Sequence, residues 1–185
     1  MIRLRSHAKI NLGLEVTGRR PDGYHTLRTV FQTLALHDDL ELREIPQARL
    51  RLSGSDPRVP WDGRNSMARA YRLLAENWPL RRGFAVCVCK RIPPGAGLGG
   101  GSGNAAVMLR FLDRYFGLGI PPGQLHDLAA ALGADVPFFL LGGTALGEGI
   151  GDALTPLPSL RPRAVALHLP AAAVSTALVY SRLRL

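Results

Sequence analysis

Cysteine is nearly absent from this 185-residue chain: Cys87 and Cys89 are its only two. Two thiols cannot build a disulfide framework, and a chain of this length buries an adequate core without one. The pair alternates along a short run, so strand geometry puts both side chains on one face. They are expected to be small buried core residues of a protein in a reducing compartment, not a metal pair. Lysine is as scarce. Of 23 Lys and Arg residues, only Lys9 and Lys90 are lysines. Where arginine is the habit, a retained lysine points to chemistry that needs a compact, titratable ammonium. Aromatic residues are only 6% of the chain and the basic residues do not cluster. That excludes the usual footprint of a nucleic-acid surface, although the formal net charge of +9 favours anionic small molecules such as nucleotides and phosphorylated metabolites. No uninterrupted apolar run is present. The longest, 128–146, is broken by Gly133, Asp135, Pro137, Gly142 and Gly143, which excludes a membrane span. Arg3 and Arg5 follow Met1-Ile2 at once, so no secretory leader is read. The expectation is a cytoplasmic protein, monomeric or weakly dimeric, with no membrane or nucleic-acid partner.

With 46% hydrophobic and 20% charged residues the chain reads as a folded globule. Residues 3–18 read as one strand or two short ones, ending in a Pro-Asp-Gly turn at 19–25. Strands are expected at 29–36 and 40–45, joined at His37-Asp38-Asp39, with an edge strand at 49–52 and further strands at 83–91, 144–146 and 164–169. Met67, Ala70, Tyr71, Leu74 and Trp78 fall at helical spacing, so a helix is expected over 65–78 with Asn65 or Ser66 as its cap. A second helix, apolar nearly all round, is expected over about 103–116. A third starts after Pro121-Pro122 and stops at Gly133. Strands and helices joined by hairpin-like connections favour an α+β class over a doubly wound sheet.

The densest chemical signal is Pro93-Pro94-Gly95-Ala96-Gly97-Leu98-Gly99-Gly100-Gly101-Ser102-Gly103, between an expected strand and a helix. Glycines let a backbone approach a ligand closely and turn successive N–H groups towards it. A helix N-terminus adds positive dipole, and together these make an anion cradle. Gly95, Gly97 and Gly100 satisfy G-x-G-x-x-G, but no strand with a terminal acid follows about 20 residues on, as a Rossmann unit needs. No Gly-Lys-Ser/Thr follows either, and the His-Arg-Asp and Asp-Phe-Gly segments of protein kinases are missing.

Five segments together carry a resemblance. They are Ala8-Lys9-Ile10-Asn11-Leu12, Arg20-Pro21-Asp22-Gly23-Tyr24-His25, Lys90-Arg91-Ile92-Pro93, the glycine-rich loop, and Leu132-Gly133-Ala134-Asp135-Val136-Pro137-Phe138-Phe139. In this order they resemble the GHMP small-molecule kinases, over essentially the whole chain. Thr176 to Tyr180 matches a further segment more loosely. The resemblance implies an α+β N-terminal domain with a ribosomal-protein-like β-α-β two-layer fold, over residues 1–170. It implies ATP and Mg²⁺ as cofactors, and a small-molecule cytidine diphosphate substrate whose erythritol hydroxyl is phosphorylated on the way to isoprenoid precursors. Three other readings stay open: a GHMP kinase for a different alcohol, a nucleotide-binding module without turnover, and an RNA-binding protein of the same fold.

Each residue also has a reading of its own. Asp135, among apolar neighbours, is costly unless paired or working. On its residues alone it fits either a working carboxylate or the cap of the next turn, with Pro137 just inside; by resemblance it is the catalytic base. Lys9 lies in an apolar strand, where a lysine can snorkel at the edge; by resemblance it pairs with Asp135 beside the transferred phosphoryl group. The resemblance assigns residues 93–103, from Pro93 to Gly103, to the ATP phosphates and Asn65 to the adenine. It assigns Asn11, Tyr24, His25 and Tyr180 to the alcohol substrate, with Tyr24 and Tyr180 flanking the cytosine. Ser102 offers a hydroxyl to phosphate or Mg²⁺, or caps the helix behind it. The chain departs from the family pattern at Gly103, where a second serine is usual, and at His7 and Ala177, which stand for prolines. The family continues into a further domain, so residues 171–185 are expected to start the segment leading there.

Overall fold

The computed structural model describes residues 1–21, 23–169 and 179. Two long strands dominate. β1 (Ile2–Arg19) and β2 (His25–Ile45) form an antiparallel hairpin. β2 is one continuous strand, not the two expected, because His37, Asp38 and Asp39 stay extended and pair across to β1 and β4. β3 (Leu50–Gly54), α1 (Ser66–Asn77) and β4 (Gly83–Cys89) make a parallel β-α-β crossover. After β4 come α2 (Gly100–Phe116), α3 (Pro122–Leu132), α4 (Val136–Leu141), β5 (Thr144–Glu148) and β6 (Ala153–Leu157). The sheet order is β3-β4-β2-β5-β6, with β1 on β2. Among the described residues no helix is long and apolar enough to cross a membrane.

The architecture is α+β in two layers, as the sequence suggests. Period-2 alternation sends Leu40 and Leu42 of β2 and Phe84, Val86 and Val88 of β4 to one face, where Met67, Leu74, Met108, Leu109 and Leu112 of the helices meet them. The same alternation corrects the expectation for the cysteines. Cys87 and Cys89 do share a face, but it is the exposed one, since the larger Val86 and Val88 occupy the core side. Two other expectations are corrected. Residues 164–169 form no strand and are exposed, whereas 153–157 do form one by pairing with β5. The expectations for 171–185, including Tyr180, lie outside the described residues apart from exposed Val179.

Candidate active site

The glycine-rich loop leaves β4 and turns into α2 three residues earlier than the sequence suggests. Gly99, in the left-handed conformation with φ +71°, is the N-cap, and Gly100 to Gly103 already belong to the helix. Ser102 is therefore the third helical residue and not the cap. Gly95 and Gly97 also have positive φ, at +75° and +72°, which a side chain would resist. The first-turn N–H groups of α2 have no partner within the helix and stand beside a cleft of about 250 Å³. Residues 93–101 form one wall.

The other wall comes from the start of α1. Asn65 caps it, its Oδ1 accepting from the Met67 amide at 3.0 Å while its Nδ2 donates to the Pro60 carbonyl at 2.8 Å. Asn65 thus lines the cleft with its amide committed to shaping the wall. Ser66 Oγ donates to the Gly101 carbonyl at 2.7 Å, so the two helix N-termini converge and are tied together. Arg58, Arg64 and Lys90 are the charged residues lining this cleft. Each arginine forks onto a neighbouring acid: hydrogen bonds from Arg58 hold the Asp56 carboxyl at about 2, and those from Arg64 hold Asp62 at about 2.

Behind Gly99 lies a second centre. Lys9 is 6% exposed, so it does not snorkel. Its Nζ stands 3.3 Å from Asp135 Oδ2, donates to Asn11 Oδ1 at 2.8 Å, and lies 5.4 Å from the Phe31 ring centroid. Asn11 Nδ2 donates to Thr29 Oγ1 at 2.7 Å, which donates on to the Gly13 carbonyl at 2.7 Å. Asp135 occupies the cap position of α4 but makes no side-chain cap bond; its carboxylate turns to Lys9 instead. A Cβ on Gly99 would meet Phe139 Cζ at 2.6 Å and Lys9 Cγ at 3.0 Å, so the loop and the ion pair are in contact. The cleft and the pair lie on either side of this one glycine.

Tyr24 and His25 are at the tip of the β1–β2 hairpin, Tyr24 exposed and His25 partly so. His25 is eight residues along β2 from Thr33, the partner of Lys9, which is roughly 26 Å of strand. The structure thus gathers Lys9, Asn11, Asp135 and Gly99 in one place and sets Tyr24 and His25 at the end of the arm that leads from it. Among the described residues no group of three His, Cys, Asp or Glu side chains could hold a metal ion alone. Sequence reading passed over Asp38, Asn104, Arg58 and Arg64. For Lys90 the signal was present, in the scarcity of lysine.

The family profile described as GHMP kinases N terminal domain matches residues 65–143. A protein of Alkaliphilus metalliredigens named 4-diphosphocytidyl-2-C-methyl-D-erythritol kinase is 44% identical over 184 residues, covering 100% of this chain and 63% of the relative. One of the same name from Acaryochloris marina is 48% identical over 157 residues, covering 85% and 51%. A crystal structure of 4-(cytidine 5'-diphospho)-2C-methyl-D-erythritol kinase superposes with a TM-score of 0.79 at 38% identity, covering 99% of this chain and 65% of that one. The mevalonate kinase of Methanococcus jannaschii, at 12% identity and a TM-score of 0.64, shares the fold. The chain spans less than two thirds of the length of these relatives.

Proposed function

Because the chain belongs to the GHMP kinases, whose N-terminal domain it carries, we propose that it serves the ATP-dependent phosphorylation of the 2-hydroxyl of 4-diphosphocytidyl-2-C-methyl-D-erythritol, a step towards isoprenoid precursors. The observation that carries this reading is the Lys9–Asp135 pair, 3.3 Å apart and packed against Gly99 of the phosphate cradle. An alcohol becomes a phosphoryl acceptor when its proton has somewhere to go and the developing charge is met by fixed cations and dipoles. Asp135 accepts the proton of the attacking hydroxyl. Lys9, nearly buried and held by Asn11, keeps one ammonium beside the transferred group. The amides at the start of α2 receive the phosphate oxygens, and Arg58, Arg64 and Lys90 make the cleft attractive to the polyanion. Mg²⁺ would supply charge neutralisation between phosphate oxygens, with the Ser102 hydroxyl as its protein contact. Tyr24, His25 and Asn11 would bind the cytidine diphosphate alcohol along the hairpin arm.

The test is direct. The protein is incubated with ATP, Mg²⁺ and the cytidine diphosphate alcohol, and ADP and phosphorylated alcohol are measured together. Stoichiometric formation of both, lost in Asp135→Asn, is expected. Phosphorylation of a different alcohol in preference to this one would keep the kinase and overturn the substrate.

A further inference from the structure

In β2, Leu40 and Leu42 point into the core and Asp38 takes the same inward face two residues earlier. An apolar residue would continue that pattern. A carboxylate with no exposure is tolerated there only because donors surround it. Asp38 Oδ1 accepts the backbone N–H groups of Arg91 at 2.8 Å and Ile92 at 2.9 Å. Oδ2 takes the Lys90 ammonium, itself nearly buried. Asn104, in α2 and 4% exposed, completes the shell. With its amide nitrogen facing the acceptors, its two N–H bonds are shared among Ser6 Oγ at 2.7 Å, the Gly100 carbonyl at 3.1 Å and Asp38 Oδ2 at 3.3 Å.

These partners are the two ends of the glycine-rich loop. Arg91 and Ile92 lead into it from β4. Gly100 and Asn104 lead out of it into α2, and a Cβ on Gly100 would lie 3.1 Å from Lys90 Nζ. We propose that Asp38 is a positioning residue for nucleotide binding: one buried carboxylate clamps both ends of the phosphate loop and fixes Lys90 in the wall of the cleft. The proposal rests on the reading that this loop receives nucleotide phosphates. The loop holds three glycines at positive φ, at 95, 97 and 99, whose freedom must be limited before binding. A clamp at the ends holds the amides ready, so less ordering is left for the ligand to drive.

The clamp acts on phosphates and not on the base, so the readout is the ratio of ATP to AMP affinity by calorimetry. Wild-type protein is expected to prefer ATP. In Asp38→Ala that preference is expected to fall by about tenfold or more, as the loop ends separate. Asp38→Asn keeps an oxygen for the Arg91 and Ile92 amides and is expected to recover the ratio to within about threefold of wild type. If Asp38→Ala does not fold, the double variant Asp38→Ala/Lys90→Met, which leaves no lone buried ammonium, is compared with Lys90→Met alone, so that loss of the cleft cation cancels and the same further fall is expected. An unchanged ratio in a folded Ala or double variant against its reference protein, whatever its melting temperature, overturns the clamp and leaves only a structural acid. Failure of Asn to recover the ratio also overturns it, since charge and not tethering would then decide. If wild-type protein binds ATP no better than AMP, the nucleotide reading itself falls and the clamp falls with it.

Discussion

The backbone amide of Lys9 donates to the carbonyl of Leu98 at 2.9 Å, outside the β1–β2 ladder. The register of that ladder shifts between His7 and Lys9. Such irregularities re-aim a strand and free a backbone group for other use. Here the freed N–H ties the lysine's own backbone to the glycine-rich loop, while its side chain runs on to Asp135 and Asn11. The lysine, the carboxylate and the loop are therefore joined by direct contacts.

Replacing Asp135 tests the chemistry with little change of shape. Asp135→Asn is expected to lower kcat by about 10²–10⁴-fold, the usual scale for losing a general base, with a modest change in ATP affinity. Lys9→Arg is expected to be damaging as well. The lysine is enclosed by Phe31, Asn11 and Asp135, and a planar guanidinium does not fit where a compact ammonium does. Near-normal turnover in Asp135→Asn would assign the proton to another group.

Two loop glycines separate space from conformation. Gly99→Val is expected to abolish nucleotide binding, because its Cβ would fall 2.6 Å from Phe139 Cζ as well as straining a φ of +71°. Gly97 has the same sign of φ, +72°, but nothing within 4 Å of a Cβ. Gly97→Ala should therefore cost only the backbone strain, about 1–2 kcal/mol, and keep ATP binding within roughly tenfold of wild type. Calorimetry on the two variants decides; equal losses in both would mean that Phe139 does not limit the loop.

Most of the fold was legible because alternation along β2 and β4 and the helical spacing of Met67, Ala70, Tyr71 and Leu74 are local signals. The glycine-rich loop was visible as a contiguous run from Pro93 to Gly103, although the structure takes Gly100 to Gly103 into α2. What escaped was long-range. Nothing near Asp38 in sequence announces that Arg91, Ile92 and Asn104 will surround it, since those partners arrive only when β4 pairs with β2 and α2 packs behind. The cysteines were misplaced because their usual preference for burial yields to larger neighbours once only one face of the sheet is covered. The strand at 153–157 has no alternation of its own and exists through its pairing with β5.

Acid should act late on the wall of the cleft that carries Arg58 and Arg64. Asp56 and Asp62 each sit at about 2, below the unperturbed carboxylate range near 4. A carboxyl depressed on folding contributes stability that is present above its unfolded value and is lost as pH falls through its folded value. The turns at 56–58 and 62–64 are therefore expected to hold their form down to about pH 4 and to loosen between about pH 4 and pH 2. Amide chemical shifts of Arg58 and Arg64, whose N–H groups bond to these carboxylates at 2.9 Å, would follow the change. A midpoint near 4 for both would show that the arginine forks do not form in solution.

Gly103 is where the family pattern has a second serine, and the structure gives the reason for glycine. A Cβ there would lie 2.8 Å from Ser6 Oγ and 3.0 Å from the His7 carbonyl, so α2 rests directly on β1. Gly103→Ser is expected to destabilise the protein by about 1–3 kcal/mol, the usual range for overpacking. Adding Ser6→Ala should recover part of that loss by removing the nearer atom. Denaturant unfolding of the single and double variants measures both, and a Gly103→Ser protein as stable as wild type would show that β1 and α2 are not in this close contact.

Phe84 offers a test that separates stability from the site. It is fully buried on β4, edge-to-face with Phe111 and Tyr115 of α2 at ring-centroid distances of 4.9 Å each. Both partners lie in the last two turns of a 17-residue helix whose first turn forms the cradle. At about 1.5 Å per residue, the helix puts roughly 16 Å between Gly100 and Phe111. Phe84→Ala removes a ring from a packed cluster and is expected to cost about 3–5 kcal/mol. For a chain of this size that lowers Tm by roughly 6–20 °C. Below the lowered Tm, ATP affinity should stay within about threefold of wild type, because the loop is held by Lys9, Asp38 and Ser66 and not by this cluster. A large loss of ATP affinity in protein that is still folded would show that α2 transmits core packing to the cradle, and that the two ends of the helix cannot be treated as independent.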